Sequence, residues 1–316
     1  MSTPTAVPQL SISVPTFAAE GHDGDWQAAL DLAVAADRAG VDRLLVSDHV
    51  AYGEHLEAYA RPELGGVRDG RQPTGPDGHW LEPLTTLAVA AGMTARIRLA
   101  TNILQAALRR PIVLAKTTAT LDVLSKGRLD LGVGVGWQRE EYEAAGLDFD
   151  TRGKLLDHTL FVLQTAWLEQ RINIDTPDLR VEGIHQMPKP VQPGGVPIWV
   201  SGRINKAVVR RVVRFGQGWI PWGDEAANLT ESIPAMKAAV REAGGDGANL
   251  QVCGNINPAV EGNRLDVAAT MRPVPALVAA GLTDVRCRVH TWAPTGTDAT
   301  AEYLGELVAA FHAVTR

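Results

Sequence analysis

The chain has 316 residues, of which 45% are hydrophobic, and a formal net charge of −6. This length suits an α/β barrel kept as one domain, so we expect a single barrel domain over residues 1–316. Acidic and basic residues are mixed along the chain, which argues against a nucleic-acid-binding face. Cys253 and Cys287 form no Cys-x-x-Cys pattern, and we expect both thiols to be buried and reduced.

Residues 1–10 are polar with prolines and lack the charged and apolar regions of a signal peptide. No apolar run approaches the length needed to cross a bilayer. We therefore expect a soluble cytoplasmic protein with no membrane partner and no nucleic-acid partner.

Short β-branched runs alternate with longer helical stretches throughout the chain, which is typical of βα units around a parallel sheet. Strands are predicted at residues 10–14, 43–47, 97–104, 128–133, 197–200, 218–220, 250–256 and 284–289. Helices are predicted at about 25–39, 82–93, 111–126, 156–167, 204–215, 225–243, 275–280 and 299–313. A long polar loop, 51–78, follows strand two, and an irregular insert, 171–195, precedes strand five. Eight strands favour a closed (β/α)8 TIM barrel over a doubly wound sheet.

The active site of such a barrel is built at the C-terminal ends of its strands. That rule selects the segments 47–49, 101–103, 134–137, 201–203, 219–222, 255–257 and 290–292. We expect the functional side chains among these segments.

Asp48 and His49 end strand two. A histidine there can act as a general acid or base near neutral pH, and an aspartate can orient a partner or a ligand hydroxyl. The alternative is a helix-capping Asp48 and a solvent-facing His49. A metal site is disfavoured, because no His-x-His pattern occurs at any strand end.

Gly132, Gly134 and Gly136 form a glycine run at the end of strand four. The run fails the G-x-G-x-x-G spacing of a dinucleotide fold, because Trp137 stands where a glycine is required. Backbone without side chains lets a flat ring system approach closely. A tightly packed barrel strand explains the run equally well.

Glu140 and Glu141 follow Trp137. Adjacent helical residues do not share a face, so the two carboxylates are not expected to work as an acid/base pair. The two carboxylates are expected in the first turn of a short helix, near its positive N-terminal end, and at least one of them is expected to be solvated.

The segment Ser201-Gly202-Arg203 stands where helix five begins, a suitable place for an anion. The alternative is a simple N-cap by Ser201. Trp219 and Trp222 either wall a pocket or pack in the core.

Several of these segments resemble the luciferase-like monooxygenase superfamily of (β/α)8 barrels, and within it the branch that uses the deazaflavin coenzyme F420. The likeness lies in DRLLVSDH at 42–49, RLATNIL at 98–104, LDVLSKGR through GVGVGW at 121–137 and on to Gly146, and PKPVQP with PIWVSG at 188–202, then GQGWIP at 216–221. The block from 121 to 146 is quite specific, and the others are individually weak.

The resemblance implies roles for matching positions. Asp48 would touch the cofactor ring, and His49 would be a catalytic base, with Trp137 shaping the substrate side. The cofactor ring would be bounded by Asn102 and Ile103 (a bulge, often with a cis peptide), Gln105, Gly136 and Trp137, and the cofactor phosphate by Ser201, Gly202 and Arg203. The chain departs from the pattern in having Ser201-Gly202 instead of Gly-Gly, Gln217 instead of Asp, and a poor match after Ala259.

The expected function is hydride transfer between F420 and a small organic substrate, with the loop 51–78 as a lid and a homodimer as the assembly. The first rival is an FMN-dependent monooxygenase of the same superfamily. A non-catalytic barrel that binds F420 or flavin is the second, and a metal-dependent hydrolase barrel is the third. The sequence does not specify the substrate.

Overall fold

A computed structural model describes residues 7–316, apart from the side chain of His290. The first six residues of the predicted polar N-terminal segment lie outside the described residues. Eight parallel strands close into a barrel and are hydrogen-bonded in chain order, with the last strand pairing with the first. They are β1 (Gln9–Ser13), β2 (Arg43–Val46), β3 (Arg98–Thr101), β4 (Leu129–Val133), β5 (Ile198–Gly202), β6 (Gly218–Pro221), β7 (Gln251–Ile256) and β8 (Asp284–Cys287). The predicted (β/α)8 barrel is confirmed.

Eight helices surround the barrel: α1 (Gln27–Ala39), α2 (Pro83–Met93), α3 (Pro111–Leu124), α4 (Arg152–Leu168), α5 (Lys206–Phe215), α6 (Leu229–Glu242), α7 (Val274–Ala279) and α8 (Thr297–Thr315). Short helices also occur at Arg139–Ala144, Asp224–Ala227 and Val267–Met271. The single helix predicted at 225–243 is therefore wrong, since the chain leaves the helical conformation at Asn228 (φ −123°, ψ 53°). Among residues 7–316, no helix is long and apolar enough to cross a bilayer.

Local sequence explains where several helices begin and end. Pro83 and Pro111 occupy first turns, where no intrahelical N–H bond is lost. Gly40 ends α1 with a φ of +94°, a conformation that favours glycine. The side-chain oxygen of Asn205 caps α5 by accepting from two backbone N–H groups, so the alternative interpretation of Ser201 as a simple N-cap is wrong.

The insert before β5 is not irregular throughout, contrary to the prediction. Ile172–Asp175 and Arg180–Ile184 form an antiparallel hairpin. Ile172 and Ile174 are buried, while Asn173 and Asp175 are exposed. The strand is only two alternations long, which is too short for its period to stand out among the neighbouring prolines.

The barrel interior is layered. At its N-terminal end, Arg43 Nε lies 2.9 Å from Asp130 Oδ2, Arg98 pairs with the same carboxylate, and Arg43 also pairs with Asp284. Above this ion network lies an apolar layer of Leu45, Ala100, Trp199, Ile220 and Cys253. The charged layer holds the bottom of the barrel together and leaves the C-terminal mouth for a site.

The loop 51–78 packs across the mouth, as a lid would. It contains two 3-10 turns, Leu56–Ala60 and Pro62–Leu64. Trp222 Nε1 donates to the backbone oxygen of Gly65 at 2.9 Å, and Trp80 Nε1 donates to Thr74 Oγ1 at 3.0 Å. The first bond ties the loop to the segment after β6, and the second ties it to the residues that lead into α2.

The two cysteines lie in the barrel wall. Cys253 and Cys287 are buried and not disulfide-bonded, as expected. Burial raises the pKa of the Cys287 thiol to about 12 and also raises that of Cys253. Both thiols are therefore protonated and unreactive near neutral pH.

Candidate active site

A cavity of about 290 Å³ opens at the mouth, between the ends of β1, β2, β3 and β8. It is lined by Ser13, Val14, Phe17, Leu45, Ser47, Asn102, Pro258, Arg286, Arg288, Thr291 and Trp292. Among the residues predicted for the site, Asn102 lines this cavity. The sequence analysis missed Arg286 and Arg288, because the chain after Ala259 gave the poorest match to the family pattern.

Asp48 is fully engaged by protein groups. Its carboxylate accepts from Arg109 at 2.7 and 3.0 Å, and from the backbone N–H of Gln105 at 2.8 Å. Burial alone would lower the pKa of the Arg109 guanidinium, but the contacts with Asp48 and Glu82 raise it, so Arg109 stays charged. In this arrangement Asp48 fixes the segment after β3 against the end of β2.

His49 lies against a buried carboxylate that the sequence analysis did not select. Its Nδ1 is 3.2 Å from Glu141 Oε2, and the two side chains are 10% and 0% exposed. Glu141 also accepts from Val50 N and from Gln105 Nε2, each at 2.8 Å. Glu141 is thus held by two hydrogen bonds, and His49 Nδ1 lies beside it without forming a third. His49 is not the solvent-facing side chain of the alternative interpretation.

Glu140 and Glu141 lie in different surroundings, although they are adjacent in the sequence. Glu140 is only partly buried, whereas Glu141 points inward. The rule that neighbours do not share a helix face indicated this division. The sequence did not indicate which carboxylate was the buried one.

Aromatic side chains surround the His49 ring. Ring centroids of Tyr52 and Trp80 lie 4.5 and 4.6 Å from it, and that of Trp137 lies 6.0 Å away, edge-on. Tyr59, from the loop 51–78, packs on Trp137 at 5.1 Å. Burial raises the pKa of both tyrosines, so their phenols are neutral near pH 7.

The glycine run packs tightly against the segment after β3. A Cβ on Gly132 would collide with the backbone oxygen of Thr101, and one on Gly134 would lie 2.8 Å from Ile103 Cδ1. Gly136 has a φ of +68°, and a Cβ there would collide with Gln105 Oε1. These contacts favour the packed-strand interpretation. The Asn102–Ile103 peptide is cis, as the resemblance implied.

Ser201, Gly202 and Arg203 form a second group, which does not line the cavity. Ser201 lies in β5, and the backbone oxygen of Gly202 accepts from Trp219 Nε1 at 2.9 Å. Arg203 has a buried NH2 without a hydrogen-bond partner among the described residues. Their binding of a cofactor phosphate stays a prediction. Trp219 is fully buried, in agreement with the core alternative, whereas Trp222 is half-buried.

Metal ligation was disfavoured by the sequence. Within residues 7–316, no group of three or more His, Cys, Asp or Glu side chains could hold a metal ion. The mouth of the barrel offers hydroxyl, amide and guanidinium groups instead, which suit an organic ligand.

Comparison with known proteins identifies the family. The sequence model described as luciferase-like monooxygenase matches residues 9–307, nearly the whole chain. The chain belongs to the luciferase-like monooxygenase family. This membership confirms the resemblance.

Individual relatives of this luciferase-like protein have low sequence identity to it. An uncharacterised protein of Mycobacterium tuberculosis is 31% identical over 178 residues, which is 56% of this chain and 62% of that protein. An F420-dependent glucose-6-phosphate dehydrogenase of Gordonia bronchialis is 27% identical over 235 residues, 72% of this chain and again 62% of the relative. The matches thus span less than two thirds of these relatives.

The solved structure of an F420-dependent secondary alcohol dehydrogenase in complex with an F420-acetone adduct is similar to the luciferase-like barrel. It aligns with a TM-score of 0.72 at 15% identity, over 96% of this chain and 99% of that chain. At this identity the likeness supports the barrel fold alone.

Proposed function

We propose that the protein is an oxidoreductase that transfers a hydride between coenzyme F420 and a small organic substrate at the mouth of the barrel. The observation that carries the proposal is the contact of His49 with the buried Glu141 at the end of β2, two residues after Ser47 of the cavity wall. The similarity to an F420-dependent glucose-6-phosphate dehydrogenase supports F420 as the cofactor.

The residues of the mouth fit a flat heteroaromatic ring. Phe17 and Trp292 offer aromatic walls, and Ser47 and Asn102 offer hydrogen-bonding groups along an edge. We propose that the ring lies on the side of the cavity that these residues form, with Ser201–Arg203 binding the phosphate. When bound, the deazaflavin supplies the two-electron hydride chemistry, and the protein supplies position and electrostatics.

His49 is proposed to hold or accept the proton of the reacting substrate group. Its Nδ1 faces Glu141, which leaves Nε2 as the atom available to the substrate. A carboxylate beside an imidazole orients the ring and stabilises its protonated form. Tyr52 and Trp80 pack on the ring, so the loop 51–78 must open to admit a substrate.

Titration of the purified protein with F420 and, separately, with FMN tests the choice of cofactor. Trp292 lines the cavity, so a bound ring is expected to quench tryptophan fluorescence. We expect saturable quenching by F420, with a dissociation constant at least tenfold lower than that for FMN. Tighter binding of FMN would refute the choice of F420.

The second candidate is an FMN-dependent monooxygenase, which the family's description as a monooxygenase favours. It predicts binding of FMN and consumption of oxygen with reduced FMN. A non-catalytic barrel, by contrast, would bind F420 and exchange no hydride with any substrate. A single domain, a homodimer and a cytoplasmic location also stay part of the proposal.

A further inference from the structure

Three neighbouring polar side chains in the barrel wall at β8 each have one buried atom without a hydrogen-bond partner among residues 7–316. Ser11 of β1 and Asn255 of β7 are both in register with Arg286 of β8. Within the described part of the chain, Ser11 Oγ, Arg286 Nε and Asn255 Oδ1 are buried and have no hydrogen-bond partner. Buried polar groups in native proteins are almost always satisfied, so water or a ligand satisfies these three atoms.

Arg286 favours a ligand over water as the partner, because a guanidinium stays protonated near neutral pH even though burial lowers its pKa. It forms no ion pair with any residue in the range 7–316, unlike Arg43 and Arg98 at the other end of the barrel. The ionisable groups that shift the pKa of Arg286 besides its burial are the Cys253 thiol, the Arg288 guanidinium and the Tyr59 phenol. None of these groups is a carboxylate. Arg286 is half-buried as a whole, but its Nε is buried without a partner among the described residues, and a guanidinium placed in this way without a counter-charge favours an anionic partner.

The cavity gives that partner a place. Arg286 and Arg288 both line it, next to the hydroxyls of Ser13, Ser47 and Thr291. A guanidinium fork with nearby hydroxyls matches the geometry of a carboxylate or a phosphate. The group Ser201–Arg203, proposed for the cofactor phosphate, does not line this cavity. An anion bound here is therefore separate from that end of the cofactor.

We infer that Arg286 and Arg288 bind an oxyanion, a carboxylate or a phosphate, carried by the substrate. The molecule is called a substrate on the strength of the proposed function, whereas the anion site itself stands on the cavity and its unpaired arginines.

The test measures thermal unfolding of the cofactor-free protein with inorganic phosphate or acetate, against chloride at equal ionic strength. A ligand that binds the folded state raises the midpoint, and we expect phosphate or acetate to raise it by about 2 °C. Arg286→Gln should abolish this rise. The matched control, Arg180→Gln, removes an exposed arginine from the hairpin and should preserve it. Equal rises in wild type and R286Q, or no rise in wild type, would overturn the inference.

A second measurement separates substrate from cofactor. R286Q is expected to bind F420 (or FMN, if that is the cofactor) within about threefold of wild type, and phosphate should not compete with it. Loss of cofactor binding in R286Q, or competition by phosphate, would assign the anion to the cofactor and refute the substrate role. A chain that binds neither cofactor refutes the proposed function but leaves the anion measurement intact.

The variant is expected to fold, because the arginine that it removes has no internal partner. R286Q should unfold at or above the temperature of the wild type when no anion is present. Arg288→Gln is a second variant at the same site and should reduce the phosphate effect by half or more. An undiminished effect in R288Q would remove Arg288 from the site.

Discussion

At the residue scale, packing at the end of β2 brings the side chains of His49 and Glu141 into contact. Glu141 has no exposed area and accepts hydrogen bonds from two neighbours besides facing the imidazole. Such a carboxylate is fixed in place and can orient a histidine for proton transfer. The pair belongs at the strand end where barrel enzymes place their chemistry.

Replacing His49 with alanine is expected to lower kcat by about 10²–10⁴-fold, the usual contribution of a general acid or base. Cofactor affinity should change by less than about threefold. Steady-state kinetics and fluorescence titration measure the two effects. His55→Ala is the matched control, since His55 is an exposed histidine of the same loop region and should keep wild-type rates. Unchanged turnover in H49A would remove His49 from the mechanism.

At the scale of elements, Asp37 joins α1 to β3. Its carboxylate accepts from the backbone N–H groups of Ala95, Arg96 and Ile97 at 3.0, 2.9 and 2.6 Å. Burial acts to raise the pKa of Asp37, but these three bonds outweigh it and hold the pKa below the ordinary value of 3.8. The carboxylate thus stabilises the entry into the strand that leads to Asn102.

Asp37→Asn is expected to lower the free energy of unfolding by about 1–3 kcal/mol at pH 7, because hydrogen bonds to a charged acceptor are lost. A lowered folded-state pKa means that the stabilisation is complete above the unfolded-state pKa and disappears as the pH falls through the folded value. The difference in the free energy of unfolding between wild type and D37N should therefore become smaller below about pH 4. Urea unfolding at several pH values measures it.

Asp31→Asn is the matched control on the same helix, since Asp31 accepts only from the exposed side chain of Gln27. It should cost less than about 0.5 kcal/mol. A gap between wild type and D37N that stays constant from pH 7 to pH 3 would contradict the role assigned to the Asp37 charge.

At the scale of the whole molecule, two neighbouring helices leave apolar side chains uncovered. Val89 and Met93 on α2, and Val113 and Leu124 on α3, are 42–70% exposed. Their spacings of four and eleven residues place each pair on one helical face. A second copy of the chain would bury these faces, in line with the expected homodimer.

We expect a dimer at micromolar concentration that Val113→Glu together with Leu124→Glu converts to a monomer, because the new charges would be desolvated in the interface. Sedimentation equilibrium measures the mass. Val260→Glu, at an exposed valine outside these helices, should leave the dimer intact. A wild-type monomer, or equal dissociation of the Val260 variant, would contradict the predicted interface.

The sequence by itself determined the barrel, because alternating βα units are a local signal repeated eight times along the chain. It also placed His49, Asn102 and Trp137 at strand ends, since the end of a β-branched run is a local feature of the sequence. The short hairpin at 172–184 and the break at Asn228 escaped prediction because their local signals are weak.

Only the tertiary structure decided which side chains meet. Glu141 lies 92 positions after His49, and Arg286 meets Ser11 only because β8 closes the barrel onto β1. From the sequence, the glycine run suited an approaching ring and a packed strand equally well. In the structure the segment after β3 lies against it, which favours the packed strand. Register and closure bring distant segments together, and periodicity along the chain carries no information about either.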